Sequence, residues 1–509
     1  MARNPHSEVL EQVEDYKISD IVIRNSVGKR LNIPVGVITE LNIFESIDNN
    51  AVTGSMYLID NYNIVTQAEL QGNERLSFKL STPGRQRAGF NHIVDASEET
   101  GYPYHIYAVK HRRPASETVS TYEVLFASRE LMMNTRKRVN RSLTGRFDQQ
   151  MIKILRDDNG INTRKRILFE PTRNRDTVVY PNLRPFDAIN LLARRSLSGN
   201  AKGAGYYFYE TTKAFYFRSV ENMIADQSTD PRKVSRVFKY EKPTISSGIG
   251  ARRFNTQRSN VLEYRFLQHF NTLTNQAAGT YASNVITYNI FDKSYDSKRY
   301  KYHDHYQRHM HTDTDKDLPE SKRSYPIAQN PVDRERKEGN AIGDKTVSDY
   351  PESKIILQPS TRFLHNDDTG VFGTSTESEG ITEAIRVSQQ NQVSNSTRLE
   401  IVTAGASDLE VGDMIEFEMP KMIPGGADPQ DYKGDERYSG RYLITKLRHR
   451  IMNKSYRQVL HCIKDSVVTN LIENVGSNFP DKESPRRLSQ DLYSDPLKQT
   501  PFHTAFRNR

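Results

Sequence analysis

Phe44-Glu-Ser-Ile-Asp-Asn49-Asn-Ala51-Val-Thr-Gly54 and Phe270-Asn-Thr-Leu-Thr-Asn275-Gln-Ala277-Ala-Gly279 read as two versions of one segment, the second a residue shorter. Each precedes a β-like run. Two further pairs keep the same order along the chain. Gly72-Asn-Glu-Arg-Leu-Ser-Phe78 resembles Gly412-Asp-Met-Ile-Glu-Phe417. Val109-Lys-His111-Arg112, then Tyr122-Glu-Val-Leu125, resembles Leu447-Arg-His449-Arg450, then Tyr456-Arg-Gln-Val-Leu460. One match alone would be weak; three in register point to a duplicated β-domain.

The residue types fit strands and turns. The glycines suit tight turns where φ is positive, and Asn or Asp beside them tolerates turn geometry. Phe44, Phe78, Phe270 and Phe417 read as core anchors. The paired His-Arg reads as a basic strand edge that discourages wrong pairing; an anion site is the alternative. Around the first copy, apolar residues alternate along Val35 to Phe44, and β-like runs follow at Ser55–Ile59, Arg75–Leu80, Tyr104–Val109 and Tyr122–Phe126.

Between the copies the pattern changes. Phe147, Met151, Ile152 and Leu155 recur at helical spacing. Pro185 suits the first turn of a second helix carrying Phe186, Ile189, Leu192 and Ala193. Tyr206-Tyr-Phe-Tyr209 and Phe215-Tyr-Phe217 flank a polar turn and read as an aromatic hairpin packed into an α+β core; base stacking is the alternative. The expected organisation is a β-domain over 1–135, an α+β middle domain over 136–240, and a second β-domain over 241–465. A polar insertion at about 293–380, partly extended or ordered only by partners, splits that second copy, with a short helix near Thr382 to Gln392. Residues 466–509 read as a C-terminal arm.

Composition narrows the class. The 509 residues suggest roughly three to four domains. With 36% apolar residues and a mean hydropathy of −0.73, several small cores are expected rather than one large one. The net charge of +9 allows an anionic partner, but both signs are interspersed, which a mixed solvated surface explains. Cys462 is the only cysteine, so no intrachain disulfide can form, which fits synthesis in a reducing cytoplasm. The polar stretch Met1 to Tyr16 lacks the apolar core of a signal peptide, and no run has the length of a transmembrane helix.

The sequence holds no phosphate loop, nucleophile elbow, HExxH or dinucleotide fingerprint. His303-Asp304-His305, His309 and His311 invite a metal reading, but their polar setting favours a partner-facing or solvated loop. No catalytic, cofactor or metal residue is assigned.

Several segments carry a family resemblance: Phe44 to Asp60, Leu70 to Phe78, the hairpin Gly205 to Ser219, Gly279 to Tyr288, and Gly440 to His449. In these the chain resembles the central baseplate hub protein of contractile-tailed phages, related to the first part of type VI secretion spike proteins. The resemblance implies a mainly β fold with an α+β middle domain and two tail-tube-like β-barrel domains. It implies a homotrimeric, pseudo-hexameric ring with an axial channel. A tail-tube or tube-initiator protein would stack on one face and a cell-puncturing spike on the other, among other baseplate proteins. Tape-measure protein and DNA would pass through in transit, and the protein would reside in the virion tail without membrane insertion. It would be structural, not an enzyme. The insertion and the arm do not match the family. Other readings are the spike base of another injection machine, which should continue into a glycine-rich needle, a basic nucleic-acid-binding protein, and an unrecognised cell-wall hydrolase. A channel for DNA suggests a lumen free of sticky basic patches, with Lys and Arg turned outward.

Overall fold

Strands form where one parity of the chain is apolar and the other polar. Along Gly440–Met452, Leu447, His449 and Ile451 are buried while Lys446, Arg448 and Arg450 face out. Repeated along the chain, such alternation yields a 14-stranded sheet. The computed structural model describes residues 14, 16–83, 90–99, 101–199, 203–228, 236–240, 260–288, 293–313, 324–328, 333–336, 342–359, 379–405, 409–419, 435, 437–452 and 455–468.

The first region supplies β1 (Lys17–Arg24), β2 (Ile38–Ser46), β3 (Thr53–Asp60), β4 (Arg75–Pro83), β5 (Tyr104–Pro114) and β6 (Ser120–Ala127). They lie in the order β2-β3-β6-β5-β4-β1, each pair antiparallel. The middle region contributes helices α1 (Phe147–Arg156) and α2 (Pro185–Arg195) and the hairpin β7 (Tyr206–Glu210) and β8 (Ala214–Ser219). The second region supplies β9 (Arg236–Lys239), β10 (Val261–Gln268), helix α3 (Glu379–Asn395), β11 (Thr397–Ala404), β12 (Met414–Glu418), β13 (Gly440–Met452) and β14 (Ser455–Lys464). Its strand order is β10-β11-β14-β13-β12-β9. Position for position this follows the first region, except that β9 runs parallel to β12 whereas β1 runs antiparallel to β4.

The turns that open β4 and β12 make matching bonds. The Asn73 amide donates to the Ile106 carbonyl (2.6 Å) and the Ile106 amide to the Glu74 carbonyl (2.9 Å). In the second region the Gly412 amide donates to the Ile444 carbonyl (2.9 Å) and the Ile444 amide to the Asp413 carbonyl (2.9 Å). Asn73 and Gly412 both hold positive φ, 101° and 90°. The Glu74 carboxylate accepts from the Gln71 amide and the Asp413 carboxylate from the Glu410 amide, three residues upstream in each case. Phe78 and Phe417 are buried, as are Tyr104 and Tyr442, each two residues before its isoleucine.

Other expectations fail. Phe44 is 36% exposed, because on β2 the inward parity belongs to Leu41, Ile43 and Glu45. Phe270 lies past the end of β10 and is 58% exposed. Asn49 sits in an exposed turn, whereas Asn275 is buried in the short helix Thr272–Ala278 that Gly279 ends at φ 83°. Gly54 lies inside β3, where a Cβ would meet the Phe126 ring at 2.3 Å and the Asn42 carbonyl at 2.6 Å. These two stretches are therefore different elements. The second region is interrupted over 269–396, more widely than 293–380, since β10 and β11 are sheet neighbours. Nor is this interruption merely extended chain. It holds a sheet of Ala282–Tyr288, Tyr295–Lys301 and Ile355–Pro359 and a core around Tyr281, Val285, Tyr300, Tyr302 and Tyr306. The expected arm over 466–509 lies, from residue 469 on, outside the described residues.

The cores interlock. Ile451 and Tyr456 of the second region join the first core, with Leu41, Phe78 and Phe126, while Ile47 of the first region joins the second, with Leu399, Phe417 and Tyr442. The hairpin aromatics Phe208, Phe215 and Phe217 are buried against α1 and α2, with Phe208 and Phe215 stacked at 5.6 Å. Rings so placed pack a core and offer no face for base stacking.

Candidate assembly interface

The two β-regions meet as neighbouring strands. β2 and β13 pair antiparallel over seven positions, from Lys446↔Ser46 to Met452↔Glu40. The Ile47 amide extends the ladder to the Thr445 carbonyl at 3.0 Å. Alternation gives this seam two chemically distinct faces.

On the outer face, Glu40 collects both arginines of β13: Arg448 Nη2 and Arg450 Nε each lie 3.0 Å from Glu40 Oε1. Arg448 Nε also donates to Asn42 Oδ1 at 2.9 Å, and its guanidinium lies 5.6 Å from the Phe44 ring centroid. Asn42 in turn donates to Ser55 Oγ at 3.3 Å. The basic run Arg448 to Arg450 is thus no strand edge, since β13 is paired on both sides. Only Lys110 to Arg113, on β5, lies at an edge.

On the inner face, Glu45 and His449 are buried and 3.9 Å apart. The His449 ring lies 2.7 Å from the Tyr456 hydroxyl, and Glu45 Oε1 accepts from the Thr212 amide at 2.8 Å. Burial pushes the Glu45 pKa up, but His449 and Thr212 outweigh it and hold the carboxyl below its usual range. His111, matched to His449 by sequence, is exposed, with φ 55° at a bulge where β5 spends two residues, His111 and Arg112, opposite Tyr122. Tyr122 instead donates to Asp60 at 2.8 Å. Tyr122 lies opposite the His111 bulge, whereas Gln458 lies opposite His449 and Tyr456 opposite Ile451, so the two His-Tyr pairs share neither register nor bonding pattern and no common anion site results.

A second polar joint, which sequence reasoning missed, fastens the middle region to the first. Buried Lys165 lies between Glu130 (3.2 Å) and Glu210, with which it makes a short ion pair. Glu210 accepts from the Val52 amide at 2.9 Å and Glu130 from the Thr163 hydroxyl at 2.7 Å. Burial works against the Lys165 charge, but the two carboxylates raise its pKa well above that of a free lysine. Nothing in the spacing of these residues marks them as partners; only the fold assembles them.

The His-rich segment forms no metal cluster among the described residues. His303 contacts the Ala328 carbonyl (3.0 Å), His309 pairs with Glu221 (2.5 Å), His311 pairs with Asp465 (2.8 Å), and His305 stacks on Tyr300. They spread over separate partners inside the interrupting segment and its contacts.

No family model and no curated protein matches the chain. Among solved structures, it is similar to the 43 kDa tail protein of prophage MuSo2 from Shewanella oneidensis, at 9% identity and TM-score 0.45, covering 88% of this chain and 98% of that one. It is similar to a tail protein from Neisseria meningitidis MC58 at 9% identity and TM-score 0.45, covering 88% and 97%. It is also similar to a type VI secretion component of E. coli, c3393, described as structurally similar to the T4 tail proteins gp27 and gp5, at 12% identity and TM-score 0.35, covering 88% and 76%.

Proposed function

We propose that this chain is the central hub of a contractile-tail baseplate, a structural protein of the virion with no substrate to turn over. Three copies would close a ring whose six β-regions meet a hexameric tail tube on one face and a trimeric spike on the other. Tape-measure protein and DNA would pass through the centre, and further baseplate proteins would bind outside. The observation that carries this reading is the seam: one chain already joins two β-regions of the same strand order edge to edge. Duplication is supported by that order and by the matching turn bonds at Asn73 and Gly412. Joined head to tail, such units either close into a ring or run on as a filament, and closure leaves no free edge.

On this reading, the sheet face turned away from the cores lines the channel. Arg265, Lys446, Arg448 and Arg450 sit on that face, against the expectation of a lumen free of basic side chains. Glu40 and Glu400 neutralise three of them at 2.9–3.0 Å, so the surface offered to DNA is of mixed sign. The test is electron microscopy of the purified full chain with its mass from light scattering. A three-chain ring with six similar lobes and an open centre is the expected result. A single-chain mass at every concentration, or another symmetry, would overturn the reading.

A further inference from the structure

Among the strand edges left open in the described residues, two correspond to the strands of the seam. β10 pairs with β11 on one side only, and β5 beyond Ile106 pairs with β6 on one side only. These are the counterparts, by strand order, of β2 and β13, which form the seam. The β5 edge is guarded by Lys110, Arg112, Arg113 and a bulge, which turn away strands without complementary charge, yet both edges also offer apolar side chains. Leu262 and Leu267 on β10 are 47% and 38% exposed, and Tyr107 on β5 is 44% exposed. Unpaired backbone beside apolar side chains is a template for another strand.

The registers of the neighbouring strands carry the correspondence residue by residue. Glu40 and Leu41 of β2 lie opposite Tyr57 and Met56, which lie opposite Glu123 and Val124 and, one strand further, Lys110 and Val109. Glu263 and Tyr264 of β10 lie opposite Val402 and Ile401, which lie opposite Val459 and Leu460 and, one strand further, Arg448 and Leu447. Glu263 therefore stands where Glu40 stands. β5 and β13 share a bulge at the same place, between Ile106 and Ala108 and between Ile444 and Lys446. Counting on from it, Lys110 stands where Arg448 stands. Past the extra residue at His111 and Arg112, Arg113 stands where Arg450 stands. Glu263, Lys110 and Arg113 are all exposed and hold no ion pair among the described residues. At the position of Asn42 and Ser55 the second region has Arg265 and Glu400, themselves paired at 2.9 Å.

We propose that the seam is repeated between chains: β10 of one copy pairs antiparallel with β5 of a second copy, and Glu263 takes Lys110 and Arg113 of that copy as Glu40 takes Arg448 and Arg450. The assignment rests on the ring reading above and adds its register and specificity. The kind of partner follows from charge: the β10 edge brings a free carboxylate, and the β5 edge brings two free cations at matching positions. A second copy of the chain supplies both.

The test uses the full chain in two arms. In the first, Glu263→Arg and Lys110→Glu/Arg113→Glu are made separately and combined in one chain. Each separate variant should raise the concentration needed for assembly by about tenfold or more, and the combined variant should restore it, as light scattering reads. In the second, Arg113→Cys and Arg265→Cys, directly opposite in the proposed register, should give disulfide-linked chains on a non-reducing gel. Cys462 is buried and stays out of the reaction. A ring that forms without the crosslink and ignores the charge variants would overturn this interface and leave the ring reading standing. A native chain that never associates would overturn both.

Discussion

At the scale of single residues, the seam and the middle region depend on charges kept away from water. Lys165 is the clearest case, since among the described residues its ammonium is the only cation between Glu130 and Glu210. Removing one member of a buried ionic cluster leaves the others uncompensated, at a cost of about 3–5 kcal/mol. Lys165→Met should therefore destabilise the chain by that order, as a shift of the urea midpoint at pH 7 reads. The sign of its pH dependence follows. Without the lysine, the two buried carboxyls bind protons more tightly folded than unfolded, so the folded state of the variant gains stability as pH falls. The deficit should shrink between pH 7 and pH 5. An equal deficit at both values would mean that the carboxylates find other partners.

At the scale of elements, the β2–β13 ladder fixes the register, and Glu40 reports on it. Glu40→Arg would place a third guanidinium beside Arg448 and Arg450 in place of the carboxylate they share. Exposed pairs contribute only about 0.2–1 kcal/mol each, so losing two and adding repulsion should cost about 1–3 kcal/mol. A double-mutant cycle with Arg448→Glu measures the coupling directly; a coupling near zero would show that the backbone ladder alone sets the seam. The strands themselves were legible in the sequence, because alternation such as that of Leu447, His449 and Ile451 is local. So were α2 with Pro185 at its start and the hairpin of β7 and β8. Two of the three repeated segments fall on matching elements because the turn before β4 and β12 must be made with a positive φ, and a buried Phe follows at a fixed distance. The third misled because Phe44 and Phe270 are alike in type but sit on an outward parity and beyond a strand end. Parity near a strand end depends on where pairing stops, and that is decided by neighbours far along the chain. The pairing of Glu40 with Arg448 and Arg450 was not legible for the same reason, since the partners lie more than 400 positions apart in sequence.

At the scale of the whole molecule, interlocking cores should make the two β-regions unfold together. Domains joined by a linker melt independently when few contacts cross between them. Here one sheet runs through both, Ile451 and Tyr456 fill the first core, and Ile47 fills the second. Phe78 and Phe417 are fully buried anchors of the respective cores, and truncating either should cost about 3–5 kcal/mol. With independent regions, Phe78→Ala would weaken only the first. With coupled regions, each variant should lower the opening free energy of both β4 and β12 by a similar amount. Hydrogen exchange read separately over those two strands distinguishes the cases, and the chain's lack of tryptophan makes this a better probe than fluorescence. Protection lost in β4 alone would mean that the seam is a contact between two separate domains. Protection lost equally in both would mean that the seam transmits stability. A ring assembled from such chains would then contain three internal joints that do not open one at a time, and its weak points would be the edges β5 and β10.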